Sequence, residues 1–105
     1  MDRVTNLTPQ AFRNAINDVA ARLAVVEAAD ESAVGPTRPS TILAPQRQRT
    51  DINKLYERIQ VLEAARNLEP DGPHRMSNLV LATFRKRLND LLDRIDTVEN
   101  TAIPG

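Results

Sequence analysis

The sequence predicts an all-α protein of three helices, packed as a parallel three-helix coiled coil within one chain. A 36-residue unit recurs three times without gaps and divides the single domain into repeats at 1–36, 37–72 and 73–105. Each unit contains one stretch of apolar residues at alternating spacings of three and four, the period of a coiled-coil seam. Aromatic residues are only 3% of the 105-residue chain, so the core must consist of Leu, Ile, Val and Ala, as in helical coiled coils.

The repeat is clearest in its polar residues. Apolar matches alone are weak evidence, because any two amphipathic helices can be slid until their apolar positions agree. Four polar positions, however, are identical in all three copies: Arg13/Arg49/Arg85, Asn17/Asn53/Asn89, Arg22/Arg58/Arg94 and Glu27/Glu63/Glu99. These identities indicate an internal repeat.

The first helix is predicted near residues 9–30. Thr8 and Pro9 have the pattern of an N-cap followed by proline at the first helical position, where the missing N–H costs nothing. A segment rich in Gly, Pro, Ser and Thr, over 30–44, breaks the helix at its end. The seam of this copy consists of Phe12, Ile16, Val19, Leu23 and Val26.

The second helix is predicted near residues 45–67. Pro45 repeats the role of Pro9, but Ala44 is a poor N-cap, so a start as late as Thr50 is the alternative. A Pro- and Gly-containing segment over 70–73 follows. The seam of this copy consists of Ile52, Leu55, Ile59 and Leu62.

The third helix is predicted near residues 77–102, in the same heptad frame. Parallel packing requires each link to run back along a helix of about 30 Å, and an extended link of about 14 residues reaches ~46 Å. A start near Leu81 leaves enough chain for this. A start near 77 instead favours an up-down-up bundle, and association of helices from three chains is a further alternative. The seam of this copy consists of Phe84, Leu88, Leu91, Ile95 and Val98.

Each helix carries the hexad R-h-x-x-h-E, where h is apolar, at 22–27, 58–63 and 94–99. The hexad resembles the trimerisation motif of short parallel three-stranded coiled coils, such as those in viral fibres and other trimeric stalks. The resemblance covers six residues per helix. It implies parallel helices in a three-stranded assembly.

The heptad frame places the arginine of each hexad at position g and the glutamate at position e. In a parallel coiled coil, g of one helix faces e of its neighbour about five residues further along, whereas antiparallel neighbours bring like charges together. We therefore expect a ring of three interhelical ion pairs: Arg22 with Glu63, Arg58 with Glu99, and Arg94 with Glu27.

Two layers of the predicted bundle break its threefold equivalence. The first is Phe12/Gln48/Phe84, in which one residue is polar. The second is Asp30/Arg66/Ala102, where two opposite charges are expected to pair at the solvent-exposed end of the bundle. Such layers help to specify which helix occupies which position.

Composition argues against several kinds of chemistry. Fourteen basic and fourteen acidic residues cancel, so we expect no nucleic-acid partner. The chain has no cysteine and one histidine, His74, in a predicted linker, so no metal, cofactor, small-molecule substrate or catalytic residue is expected. Asp90, Asp93 and Asp96 recur along one side of helix 3, but interleaved basic residues favour a solvated face over a cation site.

The N-terminal residues lack a signal-peptide pattern, and the sequence has no apolar run of about 18 residues. We therefore expect a soluble protein that is made in the cytoplasm and has no membrane partner. The leading functional hypothesis is a structural connector, adaptor or stalk component of a larger assembly, with a virion or fibre-attachment role by analogy with trimeric stalks.

The alternative hypothesis is a regulatory or chaperone-like module that presents a helical face to a protein partner. It requires an exposed apolar stripe, for which the candidates are Val25, Tyr56, Val61 and Leu92. A separate apolar set precedes or begins the helices and either caps the bundle or docks a partner: Leu7, Ile42, Leu43, Leu79 and Val80.

Overall fold

The computed structural model describes three stretches of the chain, residues 3–30, 40–69 and 76–104. The sole histidine, His74, and the Pro- and Gly-containing parts of both predicted linkers lie outside these residues. The described residues are all-helical and contain no strand. The helices are α1 (Pro9–Ala29), α2 (Pro45–Ala65) and α3 (Leu81–Glu99).

The three helices pack against one another in every pairing, which confirms the predicted all-α fold of three packed helices. Every residue of the predicted seams is buried, and none is more than 8% exposed. Tyr56, Leu92 and Met76 join the same core, with exposed fractions of 0%, 1% and 4%. The packing of these apolar side chains is the main stabilising contribution to a bundle of this size.

Local chemistry explains the start of α1 and the end of α2. The Thr8 hydroxyl accepts a hydrogen bond from the backbone N–H of Ala11 at 3.2 Å, as an N-cap should. Ala44 makes no side-chain cap, yet α2 still begins at Pro45. It ends where Asn67 adopts a left-handed φ of 55°, a conformation that asparagine tolerates at helix ends.

Helix α3 begins at Leu81, later than the predicted start near 77. The backbone of Met76 is hydrogen-bonded to Asn53 of α2 instead of entering a helix. The links 30–44 and 66–80 consequently have the same length, as the repeat requires. A start at Leu81, in place of one near 77, leaves a second link long enough to run back along a helix, as parallel packing would require.

The contacts between helices join like ends. Phe12 near the start of α1 stacks on Phe84 near the start of α3, with ring centroids 5.3 Å apart. Asp30 and Arg66, which follow α1 and α2 directly, form an ion pair. In an antiparallel pair the start of one helix would lie against the end of the other, whereas these two contacts join start to start and end to end.

Candidate functional site

The candidate site is an interhelical polar network, and its centre is a ring of three arginine–glutamate pairs. In each pair the arginine donates through both Nε and Nη2, which is the bidentate geometry that suits a carboxylate. The Nε to Oε2 distances are 3.0, 3.2 and 2.9 Å for Arg22–Glu99, Arg58–Glu27 and Arg94–Glu63, respectively. The six hexad residues thus form one ring within a single chain.

The partners in this ring differ from the sequence-based expectation. Arg22 pairs with Glu99 of α3 and not with Glu63 of α2, and the other two expected pairings, Arg58 with Glu99 and Arg94 with Glu27, are wrong in the same way. A g residue faces only the neighbour on its own side of the helix. The chain can wind around the bundle clockwise or anticlockwise, and in both cases each arginine meets a glutamate. The hexads therefore do not specify the direction of winding.

The three pairs are buried to different extents. The side chains of Arg94 and Glu63 are only 8% and 5% exposed, whereas those of Arg22 and Glu99 are 17% and 35% exposed. Glu27 is 10% exposed, between the other two glutamates, while Arg58 is the most exposed of the three arginines at 30%. Charge–charge attraction and the cost of removing water both increase with burial, so the Arg94–Glu63 pair is the most consequential of the three.

The Arg94 guanidinium is held on several sides. Its central carbon lies 5.3 Å from the centroid of the Tyr56 ring, within cation–π distance. Burial alone would lower the pKa of Arg94, but hydrogen bonds to Glu63 and the charges of Glu63 and Asp90 outweigh it and raise the pKa. Arg94 is therefore a buried permanent cation that depends on its partners.

Arg3, near the start of the chain, joins the network around the Arg22–Glu99 pair. Arg22 also bonds Asp96, and Arg3 bonds both Asp93 and Asp96. Hydrogen bonds from Arg22 and then Arg3 lower the pKa of Asp96. Asp90 lies 3.7 Å from Arg94, so each of the three aspartates considered as a cation site is paired with an arginine.

Tyr56 is fully buried in the core. Its hydroxyl donates to the carbonyl oxygen of Arg87 or to the carboxylate of Asp90, which lie at 3.1 and 2.9 Å. Burial first, and then the neighbouring Asp90 carboxylate, raise the pKa of Tyr56 well above its ordinary value near 10. Tyr56 and Leu92 are therefore core residues, and of the four candidates for an exposed stripe only Val25 and Val61 are exposed.

The raised pKa of Tyr56 gives a direct spectroscopic prediction. Tyr56 is the only tyrosine in the chain, so tyrosinate absorbance near 295 nm reports its ionisation alone. A phenol whose folded pKa is raised stabilises the fold below its unfolded pKa of about 10, and this contribution is lost as pH rises above it. We expect tyrosinate to appear together with the loss of helical circular dichroism, above pH 10. Ionisation near pH 10 with intact helices would contradict the burial of the hydroxyl.

The layer of Asp30 and Arg66 at the end of the bundle contains the expected ion pair, but the pair is buried and not exposed to solvent as predicted. Arg66 binds both carboxylate oxygens of Asp30, at 2.7 and 2.9 Å. It also donates to the carbonyl oxygens of Leu62 and of Thr101. The side chains of Arg66 and Asp30 are 6% and 9% exposed, so the pair is buried and joins the ends of all three helices.

Gln48 breaks the threefold equivalence at the opposite end. It is 2% exposed, and its amide donates to the carbonyl oxygen of Pro9 at 2.9 Å. The remaining members of this layer, Phe12 and Phe84, stack on each other. A buried amide with one backbone partner specifies the position of α2 beside the start of α1.

Three asparagines hold the chain segments that precede the helices. Asn17 forms two hydrogen bonds with the backbone of Ser40, accepting from its N–H at 2.7 Å and donating to its carbonyl oxygen at 3.0 Å. The same pair of bonds links Asn53 to Met76 and Asn89 to Val4. Ser40 precedes α2 yet contacts the middle of α1, so these segments run alongside the helices.

The asparagine clamps repeat the cyclic order of the ion pairs. Each clamp binds the segment that leads into the next helix, and Asn89 of α3 binds the segment that leads into α1. The recurrence of asparagine every 36 residues was visible in the sequence, but its role was not. The bonded groups of Val4, Ser40 and Met76 belong to the backbone. Their side chains therefore differ, and the sequence does not reveal the clamp at these positions.

We expect Asn53→Ala to reduce the free energy of unfolding by about 1–3 kcal/mol, because it removes two hydrogen bonds and leaves the half-buried backbone of Met76 without partners. Urea unfolding followed by circular dichroism measures this. Asn14→Ala, at an exposed asparagine of α1 that belongs to no clamp, is the control and should change stability by less than about 0.5 kcal/mol. Equal effects of the two variants would show that the clamp contributes nothing specific.

The described residues contain no group of three or more His, Cys, Asp or Glu side chains placed to hold a metal ion. Among the helices of the described chain, none is both long and apolar enough to cross a membrane. The described residues form paired charges and backbone clamps, and these contacts hold the helices and the segments before them in a defined order. No family model, curated protein or solved structure matches the chain.

Proposed function

We propose that this protein is a structural connector or stalk component of a larger assembly, in which one chain reproduces the packing of a homotrimeric helical bundle. The observation that supports this is the threefold recurrence of two contacts, the arginine–glutamate pairs and the asparagine clamps, around one bundle. Recurrent contacts of this kind specify shape and order, and they create no reaction centre.

A single-chain bundle with approximate threefold symmetry suits a connector for a physical reason. Its ends present three similar sets of groups that can match a threefold partner, as symmetric interfaces do. The layers of Gln48 and of Asp30 with Arg66 make the three positions inequivalent, which allows one partner to be distinguished from another. By analogy with the trimeric stalks whose motif the hexads resemble, we propose a virion or fibre-attachment setting.

The alternative of a regulatory or chaperone-like module has weaker support. It required a continuous apolar stripe outside the seam, but Tyr56 and Leu92 are buried. Val25 and Val61 remain exposed at 70% and 63%, and they occupy equivalent positions on two different helices. Two separate valines do not make the contiguous apolar patch that a docking face requires.

The first test is the mass in solution, measured by light scattering on the full chain at about 10 µM, where weak association is negligible. We expect the mass of one chain, 11.7 kDa, together with strong helical circular dichroism. A mass three times larger would mean that the hexads pair between chains, and it would overturn the single-chain connector in favour of a homotrimer.

A further inference from the structure

The segment that leads into α1, residues 3–8, is held differently from the other two clamped segments and is called the arm. Ser40 and Met76 each dock on the helix that the chain has just left, 23 residues from the clamping asparagine. Val4 of the arm instead docks on Asn89 of α3, 85 residues away. No link of the described chain joins α3 directly to the arm, so only noncovalent contacts hold the arm on α3.

Three kinds of contact hold the arm in the clamp on α3. Asn89 accepts from the N–H of Val4 at 2.6 Å and donates to its carbonyl oxygen at 3.0 Å. Arg3 binds the carboxylates of Asp93 and Asp96. The Val4 side chain is partly buried against the core. In a docked extended segment the backbone hydrogen bonds give affinity, and the side-chain contacts give specificity.

Charge distinguishes the clamp on α3 from the other two clamps. Asp93 and Asp96 place two carboxylates beside it, whereas both equivalent positions of α1 are alanine and only one of those of α2 is acidic. The segment docked on α1 correspondingly has Pro39 in place of Arg3. The arginine of the arm therefore matches the arm to the acidic clamp on α3.

The part of the arm between the clamp and α1 has little packing of its own. Residues 5–8 are all exposed. A cavity of about 480 Å³ lies between the arm and α1, where Ala11, Asn14 and Asp18 line it. Apart from the partly buried Val4, the arm can therefore leave the bundle with little loss of core packing, and residues 5–8 can act as the hinge.

We propose that the arm of one copy of this chain docks in the α3 clamp of a second copy, while the arm of the second copy docks in the clamp of the first. Each contact of the arm within one chain is then made between two chains, so Arg3 and Asp93 keep their partners. Exchange of an identical segment is for this reason a low-cost route to association. The inference rests on the proposed structural role only for the high local concentration that it requires.

Concentration sets the balance between docking within one chain and exchange. A segment joined to its site by a short flexible link competes at an effective concentration on the order of 1 mM. Residues 5–8 reach at most ~14 Å when extended, so exchange brings two bundles into direct contact. We therefore expect exchange at chain concentrations of about 1 mM, such as those within an assembly, and single chains at about 10 µM.

Paramagnetic broadening between two differently labelled copies detects the exchange. One copy carries a nitroxide on Thr5→Cys, an exposed position beside Val4 in a chain that otherwise has no cysteine. The other copy is unmodified and nitrogen-15-labelled, so every observed signal comes from it. At about 1 mM, we expect the side-chain amide signal of Asn89 to broaden more than those of Asn17 and Asn53. No broadening, or equal broadening of all three signals, overturns the proposal.

Two charge-reversed variants test the specificity of the clamp. Arg3→Glu places a carboxylate opposite Asp93 and Asp96, and Asp93→Arg places a guanidinium opposite Arg3, so each variant opposes like charges within its own chain. In an equimolar mixture each arm meets a residue of opposite charge on the other variant. By sedimentation equilibrium we expect a 1:1 dimer, with a Kd about tenfold or more below that of the unmodified chain. Each variant alone should keep the mass of one chain.

A matched control reverses a charge outside the arm. Arg85→Glu changes an exposed arginine of α3 that takes no part in the clamp, and its mixture with Asp93→Arg should keep the mass of one chain. Arg3 and Asp93 are 36% and 64% exposed, so helical circular dichroism should be unchanged in both clamp variants. If either variant proves unfolded, the nitroxide experiment decides, because it changes no residue that contacts the clamp.

The outcomes separate the arm exchange from the proposed function. A mixture of the two clamp variants that keeps the mass of one chain at about 1 mM, or a control mixture that dimerises equally well, overturns the exchange. Neither result affects the single-chain bundle. A mass of three chains for the unmodified protein already at about 10 µM overturns the bundle itself.

Discussion

Replacing Glu63 with alanine should destabilise the protein by about 3–5 kcal/mol, because it leaves the buried Arg94 cation without its carboxylate partner. The loss is large relative to the stability of about 5–15 kcal/mol that is typical of a small domain. Arg94 cannot release its proton to escape the penalty, because an arginine guanidinium stays protonated in proteins. The remaining carboxylate, Asp90, is 3.7 Å away and compensates only in part.

The internal repeat supplies matched controls for Glu63→Ala. Glu99→Ala removes the equivalent carboxylate from a more exposed pair in which Arg22 keeps Asp96, so it should cost less than about 1 kcal/mol. The loss from Glu27→Ala should lie between the two, as the exposure of the Glu27 side chain does. Urea unfolding monitored by circular dichroism gives the three values. Equal losses for all three variants would contradict the assignment of the Glu63 pair as the dominant one.

A double variant separates the value of the ion pair from the cost of breaking it. Glu63→Leu together with Arg94→Met removes both charges while keeping apolar volume, and replacement of a buried ion pair in this way is often neutral or stabilising. We expect the double variant to recover most of the stability lost in Glu63→Ala. If it is as unstable as Glu63→Ala, the loss comes from packing and not from an unpaired charge.

The helices and their buried faces were predictable because they depend on local patterns. Proline at the first helical position marked Pro9 and Pro45, and the three-and-four spacing marked each seam. The start of α3 was less predictable because Val80, the residue before Leu81, makes no side-chain cap. Its position depends on the distant clamp between Asn53 and Met76.

The order of the helices around the bundle was not predictable from the hexads. All three copies contain the same arginine and glutamate, so either sense of rotation satisfies the same charges. The features that distinguish the helices are single contacts between residues far apart in sequence, such as Gln48 with Pro9 and Arg66 with Thr101. A repeat therefore specifies the contacts within the bundle more strongly than the path of the chain.

Tyr56→Ala should also cost about 3–5 kcal/mol, because it empties the largest fully buried side-chain position in the core. The equivalent positions of the other repeats are Ala20 and Leu92, so the bundle is not symmetric here and the neighbouring side chains are packed around a ring. The substitution also removes the aromatic face beneath the Arg94 guanidinium. Both effects act on the folded state in the same direction.

Two further variants divide the contribution of Tyr56 into parts. Tyr56→Phe keeps the ring and loses only the hydroxyl bonds to Arg87 and Asp90, for an expected loss of about 1 kcal/mol. Leu92→Ala, at the equivalent buried position, should cost about 2–5 kcal/mol. Thermal and urea unfolding measure all three. If Tyr56→Ala instead leaves stability unchanged, the ring is not a core residue, and Tyr56 would again be a candidate for a partner-binding face.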